Sequence, residues 1–121
     1  MPKLGKSNKS EYRGSRIEEY PHPHNQDLLV TIKSMPVGRM NRYGTAMQKG
    51  GSQAKTETYK LIVDSVIDAD SNEPVFEQSE VASIAEDDCQ FISGLIQLIG
   101  YHNGGTETDV EELVGNFEQT E

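Results

Sequence analysis

The chain has 121 residues, no Trp, a hydrophobic fraction of 34% and a net charge of −9. That length is one domain, and the composition lies close to that of chains unable to build a core. No apolar run approaches the roughly 18 residues of a membrane span. Met1–Lys6 is charged with no apolar run behind it, so it does not read as a secretory signal. The single Cys89 excludes an intramolecular disulfide framework and a cysteine-based zinc site. Of the 26 Leu, Ile, Val and Phe residues, 15 fall between Leu61 and Ile99, which is where a small core is expected.

Charge is divided along the chain. Residues 1–51 hold nine Lys/Arg and four Asp/Glu, whereas residues 52–121 hold two Lys/Arg and sixteen Asp/Glu. Such asymmetry bears on partners and self-association, not on fold. Either the acidic half docks a basic partner, or the basic half of one copy meets the acidic half of the next.

In chain order, residues 1–26 read as a disordered basic arm. Lys3, Lys6, Lys9, Arg13 and Arg16 alternate with polar residues, and Pro21-His22-Pro23-His24 keeps the backbone extended. Leu28–Ile32 reads as a short strand, with Leu28, Val30 and Ile32 on one face. Ser34 as N-cap and Pro36 in the first turn open a helix carrying Met35, Val37, Met40, Tyr43 and Met47, and Lys49-Gly50-Gly51-Ser52 closes it as a flexible connection. Over Thr56–Asp68, Tyr59, Ile62, Val63, Val66 and Ile67 recur with helical spacing. The β-branched content favours a strand there, but length favours a helix. Asp68–Pro74 is a turn. Ser79 caps a short helix with Val81 and Ile84, and Asp87 or Asp88 caps a longer one. In that helix Phe91, Ile92, Leu95, Ile96 and Ile99 form one face, Gly94 permits close backbone packing, and Cys89 reads as a small core residue. After Asn103-Gly104-Gly105, Thr106 opens a last helix with Val110, Leu113, Val114 and Phe117. The fold class expected is mainly α: one helical domain over residues 27–118 with a short N-terminal β element, the arm before it and residues 119–121 as a tail.

Catalytic chemistry finds no support. His22, His24 and Asp27 lack a companion cluster for a metal. Asp68, Asp70 and Asn72 are spaced as in a calcium loop, but Gly is missing at the sixth place and Glu at the twelfth. There is no phosphate loop and no dinucleotide fingerprint. His102 suits a helix C-terminus. No enzyme activity and no cofactor are expected. Nucleic acid binding is disfavoured, because the arm carries only five bases against three acids and the rest of the chain repels phosphate.

The order of these pieces resembles the tail assembly chaperones of long-tailed bacteriophages. The likeness rests on Leu61–Asp68, Asp70–Phe76, Phe91–Ile99, Asn103-Gly104 and Thr106–Phe117, and covers residues 28–118. Ser71-Asn72 stands where the family often has Gly, and Gly100-Tyr101-His102 lengthens the approach to Asn103-Gly104. The resemblance implies a non-enzymatic protein of the host bacterial cytoplasm. It would bind and solubilise the tape measure protein before the tail tube polymerises, then yield to tail tube protein. Phe91, Ile92, Leu95, Ile96 and Ile99 would form the groove for a partner helix. Oligomers on the partner would join Arg39 and Arg42 to Glu86, Asp87 and Asp88 of a neighbour. The alternative is an acidic DNA mimic that blocks a host nucleic-acid-binding enzyme, supported by the acidic residues after Lys60.

Overall fold

The structure, a computed structural model, describes residues 2–104. The helix expected from Thr106 and the tail at 119–121 lie outside the described residues. A short helix α1 (Ser10–Arg13) precedes strands β1 (Ile17–His22) and β2 (Asn25–Lys33). Helices α2 (Val37–Lys49) and α3 (Gly51–Ser65), strand β3 (Val66–Ile67), two short 3-10 helices (Gln78–Glu80 and Ala82–Glu86) and helix α4 (Cys89–His102) follow. The strands form an antiparallel sheet in the order β1-β2-β3. The architecture is therefore mixed α and β, which corrects the mainly α expectation.

The largest correction concerns the arm. Residues 17–33 form a β-hairpin whose register pairs Ile17 with Lys33 and Tyr20 with Val30. Residue 26 thus lies inside a strand. Pro-His-Pro-His does not run straight on. The chain reverses at Pro23–His24 between the two strands, and Pro23 takes the second place of a four-residue turn, where its fixed φ is favoured. Pro21 sits on an edge strand, the place where a residue without an N–H is tolerated.

The hairpin folds because β1 has something to cover. His22 is only 1% exposed, and its ring stacks on Phe91 with centroids 5.6 Å apart. Its Nε2 faces the Phe91 carbonyl at 2.9 Å and so carries the proton, while Nδ1 accepts from the His24 N–H at 3.1 Å. The ring lies directly over Gly94, in the space a Cβ there would occupy. Gly94 does admit a close approach, but of an imidazole and not of a backbone. At the other end of α4, buried His102 presents Nε2 to the Arg16 carbonyl at 2.7 Å and Nδ1 to the Tyr20 hydroxyl at 2.8 Å. The Arg16 guanidinium donates to the His102 carbonyl at 2.6 Å. Both histidines therefore pin β1 and its approach to α4.

Helix α2 starts later than expected. Pro36 holds the N-cap position, and the Ser34 hydroxyl instead accepts from the Arg16 N–H at 2.7 Å. Tyr43 and Ala46 face inward, whereas Val37 is exposed. Gly50 and Gly51 adopt positive φ of 69° and 64°, so the expected flexible connection is a tight reversal into α3. The helix and strand readings of 56–68 both find a place. Helix α3 runs to Ser65, and Val66–Ile67 then pair with Ile32 and Thr31. The turn after it is built as expected. Asp68 Oδ1 accepts from the N–H groups of Asp70 and Ser71 at 2.8 and 3.2 Å, and Asn72 takes a positive φ of 60°.

The short helix at 78–80 is capped by Glu77 in a reciprocal box with Glu80, not by Ser79. Asp88 caps α4, accepting from the Phe91 N–H at 3.1 Å, a contact of about 1 kcal/mol. Cys89 is exposed at the first position of α4 and is not a core residue. One core joins Val30 and Ile32 of β2, Tyr43 of α2, Leu61–Val63 of α3, Val66, Phe76, Ile84 and the inward residues of α4.

Gly94→Ala tests the lock between β1 and α4. In an open helix this change stabilises by up to about 1 kcal/mol. Here the His22 ring is held at both nitrogens and cannot yield, so urea unfolding should show a loss of about 1–3 kcal/mol. In a His22→Ala background the loss should shrink or reverse.

Candidate protein-binding surfaces

The five residues expected to form an open groove fill the interior instead. Ile92, Leu95, Ile96 and Ile99 are each no more than 2% exposed, and Phe91 is half-buried. The reason is coverage: the N-terminal hairpin lies over the part of α4 that a disordered arm would have left open.

What remains open lies beside that face. Strand β3 pairs only with Thr31 and Ile32, so the β2 stretch from Asn25 to Val30 has no partner on that edge among the described residues. The chain leaves into the Asp68 turn and returns through Pro74, which bridges to Ile67. A notch of about 320 Å³ results, walled by Leu28, Leu29, Val75, Phe76, Phe91 and Leu95, with Asp68 and Asp70 beside it. Leu29 and Val75 are more than half exposed, and Leu28 is 38% exposed. Phe91 and Leu95 thus reach a surface cavity, while Ile92, Ile96 and Ile99 do not line it. The signal for the notch was the adjacent pair Leu28-Leu29, since a strand with one face buried cannot hide both.

The expected oligomer residues divide similarly. Arg39 is buried and pairs within the chain, with Nε 2.9 Å from Asp64 and Nη1 3.3 Å from Glu57. It is not available to a neighbour. Arg42 is exposed, 3.9 Å from the same Glu57 carboxylate. Glu86 and Asp87 are exposed and make no side-chain hydrogen bond or ion pair among the described residues, whereas Asp88 is committed to its cap. Arg42 belongs to a second groove, of about 470 Å³, between α2 and α3. Lys49, Lys60, Thr45, Ser52, Thr56, Gln53, Ala46 and Glu57 complete it.

Among the described residues no three His, Cys, Asp or Glu side chains come together as metal ligands. Both ring nitrogens of His22 are engaged, so it offers nothing to a metal with His24. Three buried polar atoms have no hydrogen-bond partner among the described residues: Arg39 Nη2 and the hydroxyls of Tyr43 and Ser65. Burial pushes the Tyr43 phenol above its usual range, and the nearby Thr58 hydroxyl offsets this only in part. The Thr58 proton goes to the Ala54 carbonyl 2.8 Å away. No helix among the described residues is long and apolar enough to cross a membrane. Comparison of the chain with protein-family models, with curated proteins and with solved structures returned no match.

Two stability measurements check these environments. Arg39→Ala leaves Asp64 without its cation beside the core, while Glu57 keeps Arg42 and Lys60, and should cost about 2–4 kcal/mol in urea unfolding. For Tyr43 the folded phenol is the weaker acid. The unfolded chain therefore deprotonates first, near pH 10, and stability falls as pH rises above that value. Tyr43→Phe should match wild type to within about 1 kcal/mol at pH 8. It should then lose less Tm than wild type on going to pH 11. An identical alkaline fall in both proteins would show that the phenol is not the group responsible.

Proposed function

We propose that the chain is a non-enzymatic binding protein that shields an apolar segment of a larger partner, acting as a tail assembly chaperone for a phage tape measure protein. The notch beside β2 is the observation that carries this reading. Leu28, Leu29 and Val75 expose apolar surface around a cavity floored by Phe76, Phe91 and Leu95. A soluble acidic domain gains nothing for its own stability from such exposure, and contiguous apolar surface with a polar rim is a feature of protein-binding sites. An apolar side chain of the client would enter the notch, and Asp68 and Asp70 would favour a client with basic residues flanking it. Transient masking suits a site of this size, because a cavity of about 320 Å³ holds a few side chains and not a whole helix face.

The order of elements that resembles the phage family supplies the client. Release to incoming tail tube protein and a place in the host bacterial cytoplasm follow from the same reading. The client surface differs from the one first expected, because the α4 face is already covered within the monomer.

The test is co-expression with the tape measure protein encoded by the same genome. Wild type should move that protein from the insoluble to the soluble fraction and co-purify with it. Leu29→Lys with Val75→Lys, at exposed positions, should keep wild-type unfolding behaviour and lose the co-purification. Leu95→Asp should fail to fold at all, since it places a carboxylate at a position only 1% exposed. A tape measure protein that stays insoluble with wild type, or a Leu29/Val75 variant that still binds, would overturn the proposal.

A further inference from the structure

The groove between α2 and α3 is a cavity where cations gather. Arg42, Lys49 and Lys60 line it, against a single acid, Glu57. That acid is oversubscribed: Arg39, Arg42 and Lys60 all lie within 4 Å of its carboxylate. Arg39 makes the shortest of the three contacts and is the buried one. The exposed cations Arg42, Lys49 and Lys60 are therefore left with charge to spare. Thr45, Ser52 and Thr56 line the same groove. The three exposed cations suit a carboxylate-bearing occupant.

The same chain carries the complementary surface on other elements. From Asp68 to Asp88 there are eight Asp/Glu and no Lys or Arg. Glu86 and Asp87 stand at the end of the second 3-10 helix, exposed and without side-chain partners among the described residues. Small residues Ala82 and Ala85, also exposed, leave the backbone there open to close approach. Among the described residues the two surfaces do not neutralise each other within the chain, because no ion pair joins the groove to residues 68–88.

We infer that the occupant of the α2–α3 groove is the Glu86-Asp87 corner of a second copy of this chain. The contact is heterologous, groove to corner, so each copy presents one of each and assembly either closes into a ring or dimer or continues as a chain. A net charge of −9 opposes random association between copies. The orientation that places the corner in the groove sets acids against cations and offsets that repulsion locally. Exposed ion pairs are individually weak and screened by salt. The association is therefore weak, concentration-dependent and lost at high salt. This inference does not rest on the client reading, since it concerns the chain alone.

The experiment is sedimentation velocity on the purified full chain and two charge-reversed variants, Arg42→Glu/Lys49→Glu and Glu86→Lys/Asp87→Lys. All four positions are exposed, and circular dichroism confirms that each variant is folded. Wild type should sediment as more than a monomer at low salt and as a monomer at high salt. Each variant alone should remain a monomer at low salt, because its groove and corner now carry like charge. An equimolar mixture of the two should associate again, since each reversed surface finds its complement on the other variant. A wild type that is monomeric at low salt would overturn the inference. So would a variant that associates as wild type does, or a mixture that stays monomeric.

Discussion

Helix α4 must be covered from more than one side, and the rest of the fold follows from that demand. Its buried residues are Ile92, Ser93, Gly94, Leu95, Ile96, Leu98, Ile99 and His102, a set too wide for one packing face. A helix apolar over most of its circumference is stable only when enclosed. Helix α3 supplies one wall. The other is the N-terminal hairpin: β2 gives Val30 and Ile32 to the core, and β1, poor in apolar residues, holds on through Tyr20, His22 and the backbone around Arg16. A chain poor in hydrophobic residues thus completes its core with two buried histidines whose ring nitrogens are paired, so that their burial carries little penalty.

This economy has consequences at the surface. The apolar residues that would have formed a recognition face on α4 are used for stability. The exposed apolar residues that line a cavity together lie where the sheet runs out. Strand β3 is two residues long because Asp68 turns the chain away, and Leu28 and Leu29 are left beside the gap. The notch is a by-product of a short strand, and its floor is the core itself, so client binding and core packing share Phe76, Phe91 and Leu95.

The charges were sorted by burial in the same way. Arg39 and Arg42 are one turn apart in sequence and look equivalent. Tertiary packing carries Arg39 into the α2–α3 contact, where Asp64 and Glu57 neutralise it, and leaves Arg42 at the rim. Glu86 and Asp87 remain exposed while Asp88, next to them, is drawn into the first turn of α4.

Local chemistry was legible in the sequence wherever neighbours along the chain decide the outcome. Helix α4 and its Asp cap, the Asp68 turn with its self-bonded backbone, the strand at Leu28–Ile32 and the break at Gly50-Gly51 all follow from short-range rules of periodicity, capping and turn geometry. The helix over residues 56–65 follows too, but its switch to strand at Val66 does not, because that depends on a β2 edge more than thirty residues away. The same limit explains the arm. Ile17–His22 has no hydrophobic pattern of its own, and becomes a strand because α4 offers Gly94 as a seat for one imidazole and a helix terminus for contacts to Arg16 and Tyr20. Which apolar residues are core and which are surface, and which arginine is structural and which is available, are set by what packs against them. Composition and spacing carry the demand for cover; only the tertiary structure decides what meets it.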